Sequence, residues 1–504
     1  MRRNIKTIVF IEPRSPGYHV YSLIKIPRLG LPTMGAILKN EGYDVRIYCE
    51  ENEGIDFEDV LRADAVGIST LTSTAPRAYT MAKEIKEATG VPVFMGGPHV
   101  SFLPDEALNY CDFVFRGEAD ETIVSFIKAL EAGEGFEKIP GLSYKVEGHG
   151  VSNPDAPLPR DMDAIPDPDL SLFQGKPFKN VMPIMTSRGC PYDCTFCSVT
   201  AMFGRRFRTR SIERVVAEFK RLLEAGGDWF FIYDDIFNAN PRRCKNLLRR
   251  MIEEGATPPW GAQVRVEVAK DPELLELMKK ANGDILYIGF ESINPKTLEE
   301  FSKRQTVEDI ERAIKEVHKY GMKVHGMFMA GADEDDVETI RKTAEFAIEN
   351  DIDTIQIMAL VPIPGTHVYT DIESQGRLLT KDWSRYDAHH AVLQPKNMTP
   401  FELQWEIIQA LMKFYSWPQI IKGLARFDLR NVMYKIYGRS IIKNWRKIND
   451  EWVRTVKELS IKGKEIEIMA RETADDVKKK MAELCAKYGY GTGAKEPLQS
   501  RVTI

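Results

Sequence analysis

The densest chemistry in this sequence lies in Arg188-Gly189-Cys190-Pro191-Tyr192-Asp193-Cys194-Thr195-Phe196-Cys197, where three cysteines stand at Cys-x3-Cys-x2-Cys spacing. A loop this short can turn three thiolates toward one point. Thiolates are soft ligands that suit zinc or an iron–sulfur cluster. A structural zinc site asks for a fourth protein ligand, and the nearest preceding histidine is His149. A four-iron cluster on three cysteines leaves one iron open to a substrate or cofactor. The other four cysteines, Cys49, Cys111, Cys244 and Cys485, stand alone and read as small buried hydrophobes. An odd total of seven argues against a disulfide framework.

The elements that must carry this loop alternate strand and helix. Short apolar runs at 7–11, 45–48, 65–69, 91–95 and 113–116 alternate with helical patterns at 33–40, 75–89 and 118–132. This predicts an α/β domain over 1–135, a doubly wound parallel sheet whose ligands sit outside the carboxyl ends of its strands. The residues there are 12–17, 70–74, 96–99 and 117–118. Residues 136–178 read as a proline-broken linker with room for a small hairpin. A second alternation fills 179–395, with strands at 181–186, 230–234, 260–264, 285–290, 323–328 and 354–360. Six such units predict a partial (β/α)6 barrel, short of the closed eight-stranded form. The cysteine loop follows its first strand, where a barrel places its chemistry. Thr306-x-x-Asp309 reads as a capping box. Residues 396–504 are a C-terminal helical region, with a frayed tail from Tyr488.

The cysteine segment, with Phe196 before its third cysteine, resembles the signature of radical S-adenosylmethionine enzymes, and the resemblance runs on through about 395. Phe231–Phe237, Gly289-Phe290-Glu291-Ser292, Gly326–Gly331 and Pro362–Thr366 are similar, in order, to that family's strand-end motifs in its subgroup with cobalamin-type domains. The resemblance implies that Cys190, Cys194 and Cys197 hold a [4Fe–4S] cluster. S-adenosylmethionine would chelate its open iron, and a 5′-deoxyadenosyl radical would abstract hydrogen from an unactivated C–H. Asp234, Asp235, Glu267 and Glu291 are then candidates for the cofactor's ammonium or ribose hydroxyls, Arg265 for its carboxylate, and Gly289 and Gly331 for close backbone approach. Phe196 joins them as a cofactor contact. Each carboxylate could equally be a cap or an ion-pair partner. Arg208-Thr209-Arg210-Ser211 either clamps the loop or points to solvent.

The N-terminal domain resembles the cobalamin-binding domain fused to many members of this family. Ser69, Leu71, Gly96 and Gly97 match its loop motifs and are the candidate cobalamin contacts. The Asp-x-His-x-x-Gly motif of histidine-ligated cobalamin is missing. Glu12-Pro13-Arg14-Ser15-Pro16-Gly17-Tyr18-His19 stands in its place, and His19 and His99 lack an orienting partner.

The formal charge of −5 argues against overall electrostatic binding to nucleic acid, and the 43% apolar, 28% charged composition is globular. Missing membrane spans and a missing signal cleavage site lead to a cytoplasmic expectation. Residues 421–450 carry eight Lys/Arg against two Asp, interleaved with aromatics. They read as a solvated helical cap or as a peripheral membrane contact. The family predicts cobalamin-dependent C-methylation of a small-molecule or lipid-like substrate, with a flavodoxin or ferredoxin as electron donor. Cobalamin-independent C–C bond formation or cyclisation, tRNA methylthiolation and a non-catalytic sensor are the alternatives. Methylthiolation is disfavoured because the remaining cysteines form no second triad.

Overall fold

The computed structural model describes residues 3–15, 25–178 and 181–462; Gly17, His19, Cys485 and the tail from Tyr488 lie outside the described residues. The chain forms two compact units, 1–453 and 454–504. In the second, residues 454–462 are helical.

The N-terminal sheet contains seven strands: β1 Thr7–Glu12, β2 Asp44–Cys49, β3 Ala65–Ser69, β4 Val93–Gly96, β5 Phe113–Phe115, β6 Leu142–Val146 and β7 His149–Ser152. Their order is β2-β1-β3-β4-β5-β6-β7. The first five are parallel and buried, as near-continuous apolar runs require when helices cover both faces. The β6–β7 hairpin pairs antiparallel onto β5. The sheet therefore extends into the segment expected to be linker. The two faces bury separate cores, one around Phe10, Phe94 and Phe126, the other around Val66, Met81 and Met95.

The second sheet is the six-stranded partial barrel: β8 Met182–Ile184, β11 Phe230–Ile232, β12 Trp260–Val264, β13 Gly283–Glu291, β14 Lys323–Ala330 and β15 Thr354–Ala359. All neighbours are parallel, in order β15-β14-β13-β12-β11-β8. A two-stranded antiparallel piece, β9 Ser187–Arg188 with β10 Arg208–Thr209, brackets the cysteine loop. Strand residues alternate. Phe230, Ile232, Trp260, Leu286 and Phe328 pack outward under the helices, leaving the other parity to line the lumen. The covering helices carry their apolar residues at 3.6-residue spacing, and those starting at Pro241, Pro272, Val307 and Val337 begin at side-chain caps, including the Thr306–Asp309 capping box. Helix Pro400–Phe414 packs on β15 at the open edge, followed by helices Trp417–Ala425 and Leu429–Ile448.

Candidate active site

The cluster loop is held from below by a carboxylate. Asp234, at the carboxyl end of β11, accepts the Thr186 and Ser187 backbone N–H groups at 2.6 and 3.0 Å and both their hydroxyls at 2.6 Å. Four donors on one buried carboxylate fix the chain where β8 turns into the cysteine loop. Asp235, one residue on, accepts the Gly189 N–H at 3.2 Å and faces a cavity. Burial, reinforced by the Asp234 charge, pushes its carboxyl up to about 6 against the opposing Gly189 bond.

Cys190, Cys194 and Cys197 sit half-buried in this loop as free thiols. Burial pushes the Cys197 thiol up to about 12 and raises Cys190. Thiols in such surroundings ionise only against a cation such as cluster iron. Among the described residues no three His, Cys, Asp or Glu side chains gather as they would around a single metal ion. Cys190, Cys194 and Cys197 would hold a four-iron cluster, whose ligands need not converge on a single ion.

The other predicted residues form an arc around the loop. The Arg265 guanidinium lies 3.9 Å from the Tyr192 ring centroid, pairs Glu267 at 3.2 Å and donates to the Lys303 carbonyl. Lys303 in turn pairs Glu291 at 2.6 Å in near-complete burial. A Cβ on Gly289 would stand 2.5 Å from Glu291 Oε1 and 2.8 Å from Lys303 Nζ, so glycine makes room for that pair. Gln305 donates to the Gly289 and Phe290 carbonyls. Phe196 packs edge-on against Phe301 at 4.9 Å. Gly331, at φ +106°, offers its N–H with that of Ala332 to buried Asp335. Tyr192, Lys303, Gln305 and Asp335 escaped the sequence reading. Lys303 and Gln305 follow the β13 motif by about a dozen residues, a spacing with no periodic signal.

The N-terminal domain meets the loop directly. Glu118 and Asp120, beyond β5, pair Arg188 at 3.1 and 2.8 Å, and Glu118 also pairs Arg208. All four side chains are nearly buried. Of the two readings of 208–211, the clamp is the one observed: Arg210 likewise is buried, pairing Asp167 and Glu218.

Between the domains lies a cavity of about 380 Å³. Ser69, Leu71, Gly96 and Gly97 line it from one side, Asp235 and Tyr233 from the other. The four candidate cobalamin contacts and the β11 carboxylate thus share one space. Gly97 is obligatory: its φ is +104°, and a Cβ would stand 2.4 Å from the Thr70 carbonyl oxygen. A Cβ on Gly96 would meet only the Phe115 Cβ within 4 Å, at 3.8 Å, so the space beside this glycine is open to a ligand. Arg28 also lines the cavity. It pairs Glu12 at 3.3 Å and keeps a buried Nη1 without a partner among the described residues. No histidine lines the cavity among the described residues. His99 is fully buried elsewhere, against Trp383 and Glu106.

An aromatic ladder descends the lumen from Tyr233 through Phe231 and Tyr287 to His325, with centroid spacings of 5.7, 5.4 and 4.9 Å. At its far end a second, largely apolar cavity of about 480 Å³ opens between the barrel and helix Leu429–Ile448, lined by His325, Gln356, Ile407, Tyr437 and Trp445. His325 bonds Thr354 at 2.8 Å, and burial holds its imidazole down to about 4.

Residues 184–347 match the radical SAM superfamily and residues 23–127 the B12 binding domain. An uncharacterized methyltransferase of Pyrococcus horikoshii is 33% identical over 78% of this chain and 89% of its own length. The chain is a radical S-adenosylmethionine protein with a B12-binding domain. The bacteriochlorophyllide d C-12(1)-methyltransferase of Chlorobaculum tepidum is 28% identical over 80% of this chain and 85% of that protein. A radical S-adenosylmethionine methyltransferase from Kitasatospora setae, solved with cobalamin and a [4Fe–4S] cluster bound, superposes with TM-score 0.66 over 89% of this chain and 100% of that one; at 17% identity it shares the fold. A radical S-adenosylmethionine protein with a B12-binding domain takes a [4Fe–4S] cluster, S-adenosylmethionine and cobalamin.

Proposed function

We propose that this protein is a cobalamin-dependent radical methyltransferase acting on an unactivated carbon of a small, largely apolar substrate. The observation that carries the reading is the shared cavity, in which the B12-domain loops and the carboxyl end of β11 face one another beside the cluster loop. When bound, the cluster with S-adenosylmethionine supplies a 5′-deoxyadenosyl radical, and cobalamin supplies the methyl group.

The chain's own residues bind, orient and shield. Cys190, Cys194 and Cys197 would hold the cluster, and Asp234 fixes the loop that carries them. Arg265 and Glu291, each held by its ion-pair partner, are the candidates for the carboxylate and ammonium of S-adenosylmethionine, with Asp235, Glu267, Gly289, Gly331 and Phe196 around them. Ser69, Leu71, Gly96 and Gly97 would take the flat face of cobalamin, and the unpartnered Arg28 nitrogen suits an anionic group of a ligand there. The apolar lining, with Leu71, Met34 and Phe203 among it, excludes water from a site where a radical must survive. Substituting Gly96→Leu or Ser69→Leu fills the cavity without backbone strain. We expect wild type to retain hydroxocobalamin through gel filtration and, once reduced with titanium(III) citrate, to form S-adenosylhomocysteine from S-adenosylmethionine. The filled variants should keep their iron and lose both. Cobalamin retained by both variants would overturn this placement.

A further inference from the structure

We propose that the hairpin of helices Trp417–Ala425 and Leu429–Ile448 docks on an anionic lipid bilayer. The claim goes beyond the methyl-transfer reading and uses none of its cofactors. Phe427, at the turn, is 89% exposed; Leu429, Met433 and Ile421 are each more than 60% exposed. Water penalises such a contiguous apolar surface, and isolated monomers rarely carry one.

The surface is ordered along its length. On the 429–448 helix, Leu429, Met433, Ile436, Ser440, Lys443 and Lys447 follow each other at steps of four and three and so share one stripe. Trp417, Ile421 and Leu424 make the matching stripe on the shorter helix, while Ile420 is buried beneath it and Gly423 lies against Val432. Read from the turn, apolar side chains come first, then Trp417 and Tyr437, then the exposed cations Lys443, Arg446 and Lys447. Leu429 and Lys443 lie about 21 Å apart at 1.5 Å per residue. Hydrocarbon, interfacial aromatics and headgroup phosphates occur in the same order across half a bilayer. Cations nearer the turn do not obstruct insertion: Lys422 and Arg426 pair Asp351 at 2.8 and 3.0 Å, and Arg430 pairs Asp284.

Charge complementarity selects the occupant. Within residues 421–450, in a chain of net charge −5, Lys443, Arg446 and Lys447 are exposed and lie outside the Asp351 and Asp284 pairs, and they present the positive charge that attraction to anionic lipid requires. No helix among the described residues is long and apolar enough to cross a membrane, so the contact is peripheral. The second cavity lies directly behind the same helix, with Tyr434, Tyr437 and Ile441 in its wall. An apolar substrate held in the bilayer would therefore meet an apolar cavity behind the docking element.

The test is co-sedimentation of the full-length, cluster-reconstituted protein with vesicles of phosphatidylcholine, alone or mixed with phosphatidylglycerol. We expect binding to the mixed vesicles that weakens with salt. Leu424→Ser/Phe427→Ser/Met433→Ser should lower it at least about tenfold, and Lys443→Glu/Lys447→Glu should do the same, each with an unchanged circular dichroism spectrum. Equal pelleting of wild type and both variants would overturn the proposal. So would a concentration-dependent dimer abolished by the triple substitution in a protein that ignores vesicles, because the face would then serve a second copy. Vesicle binding is read separately from 5′-deoxyadenosine formation, so loss of either leaves the other interpretable.

Discussion

At the residue scale, two adjacent carboxylates of one motif have different tasks. Asp234 has both oxygens engaged by Thr186 and Ser187, whereas Asp235 has one backbone donor and a cavity. Its folded carboxyl titrates near 6, above the ordinary 3.8. Ionising it therefore costs stability that grows as pH rises from about 4 through 6 and is absent below 4. Asp235→Asn removes that cost. We expect urea unfolding at pH 7.5 to show the cofactor-free variant about 1–3 kcal/mol more stable than wild type, and the two to converge near pH 4. Asp234→Ala should act oppositely: it strands four buried donors and should cost at least about 3 kcal/mol, with loss of iron on reconstitution. The sequence marked both residues as site candidates but could not divide their roles. Strand parity, which turns one outward and the next inward, depends on where the strand begins.

At the element scale, regular pieces were legible and their junctions were not. Strand 260–264 and helix 75–89 form where periodicity predicts them, because a strong apolar stripe leaves little choice of register. The small hairpin allowed for in the linker forms at 142–152, but its pairing onto the parallel sheet was not legible, because its strands are short and the second is exposed. The clasp of Glu118 and Asp120 on Arg188 and Arg208 was invisible, since nothing local links residues about 70–90 apart. That clasp is balanced and buried. Arg188→Met should leave an uncompensated carboxylate and cost about 3–5 kcal/mol, while Arg188→Met with Asp120→Leu should recover much of it, both read by urea unfolding. In the C-terminal helices, buried Lys435 has its ammonium 3.2 Å from the Phe414 ring centroid, and burial depresses it to about 7. Its ordinary value is 10.5, so the cost of charging it appears as pH falls below 10.5 and is largest below 7. Lys435→Met should raise the melting temperature more at pH 7 than at pH 10.

At the scale of the whole molecule, the two α/β domains present the carboxyl ends of their strands to one cavity. Each sheet alone obeys the rule that ligands sit outside those ends. Joined by the buried clasp, the two ends close on each other, so a methyl donor on one side and a radical source on the other would share a space shielded from water. The sequence showed both domains but not their apposition, which depends on long-range ion pairs and on the cavity they enclose. The decisive experiment is anaerobic reconstitution with iron and sulfide, followed by dithionite and S-adenosylmethionine and chromatographic assay of 5′-deoxyadenosine. Wild type should form 5′-deoxyadenosine and Cys190→Ala none. Equal yields from both proteins, or a wild type that takes up zinc and no iron, would contradict the radical assignment.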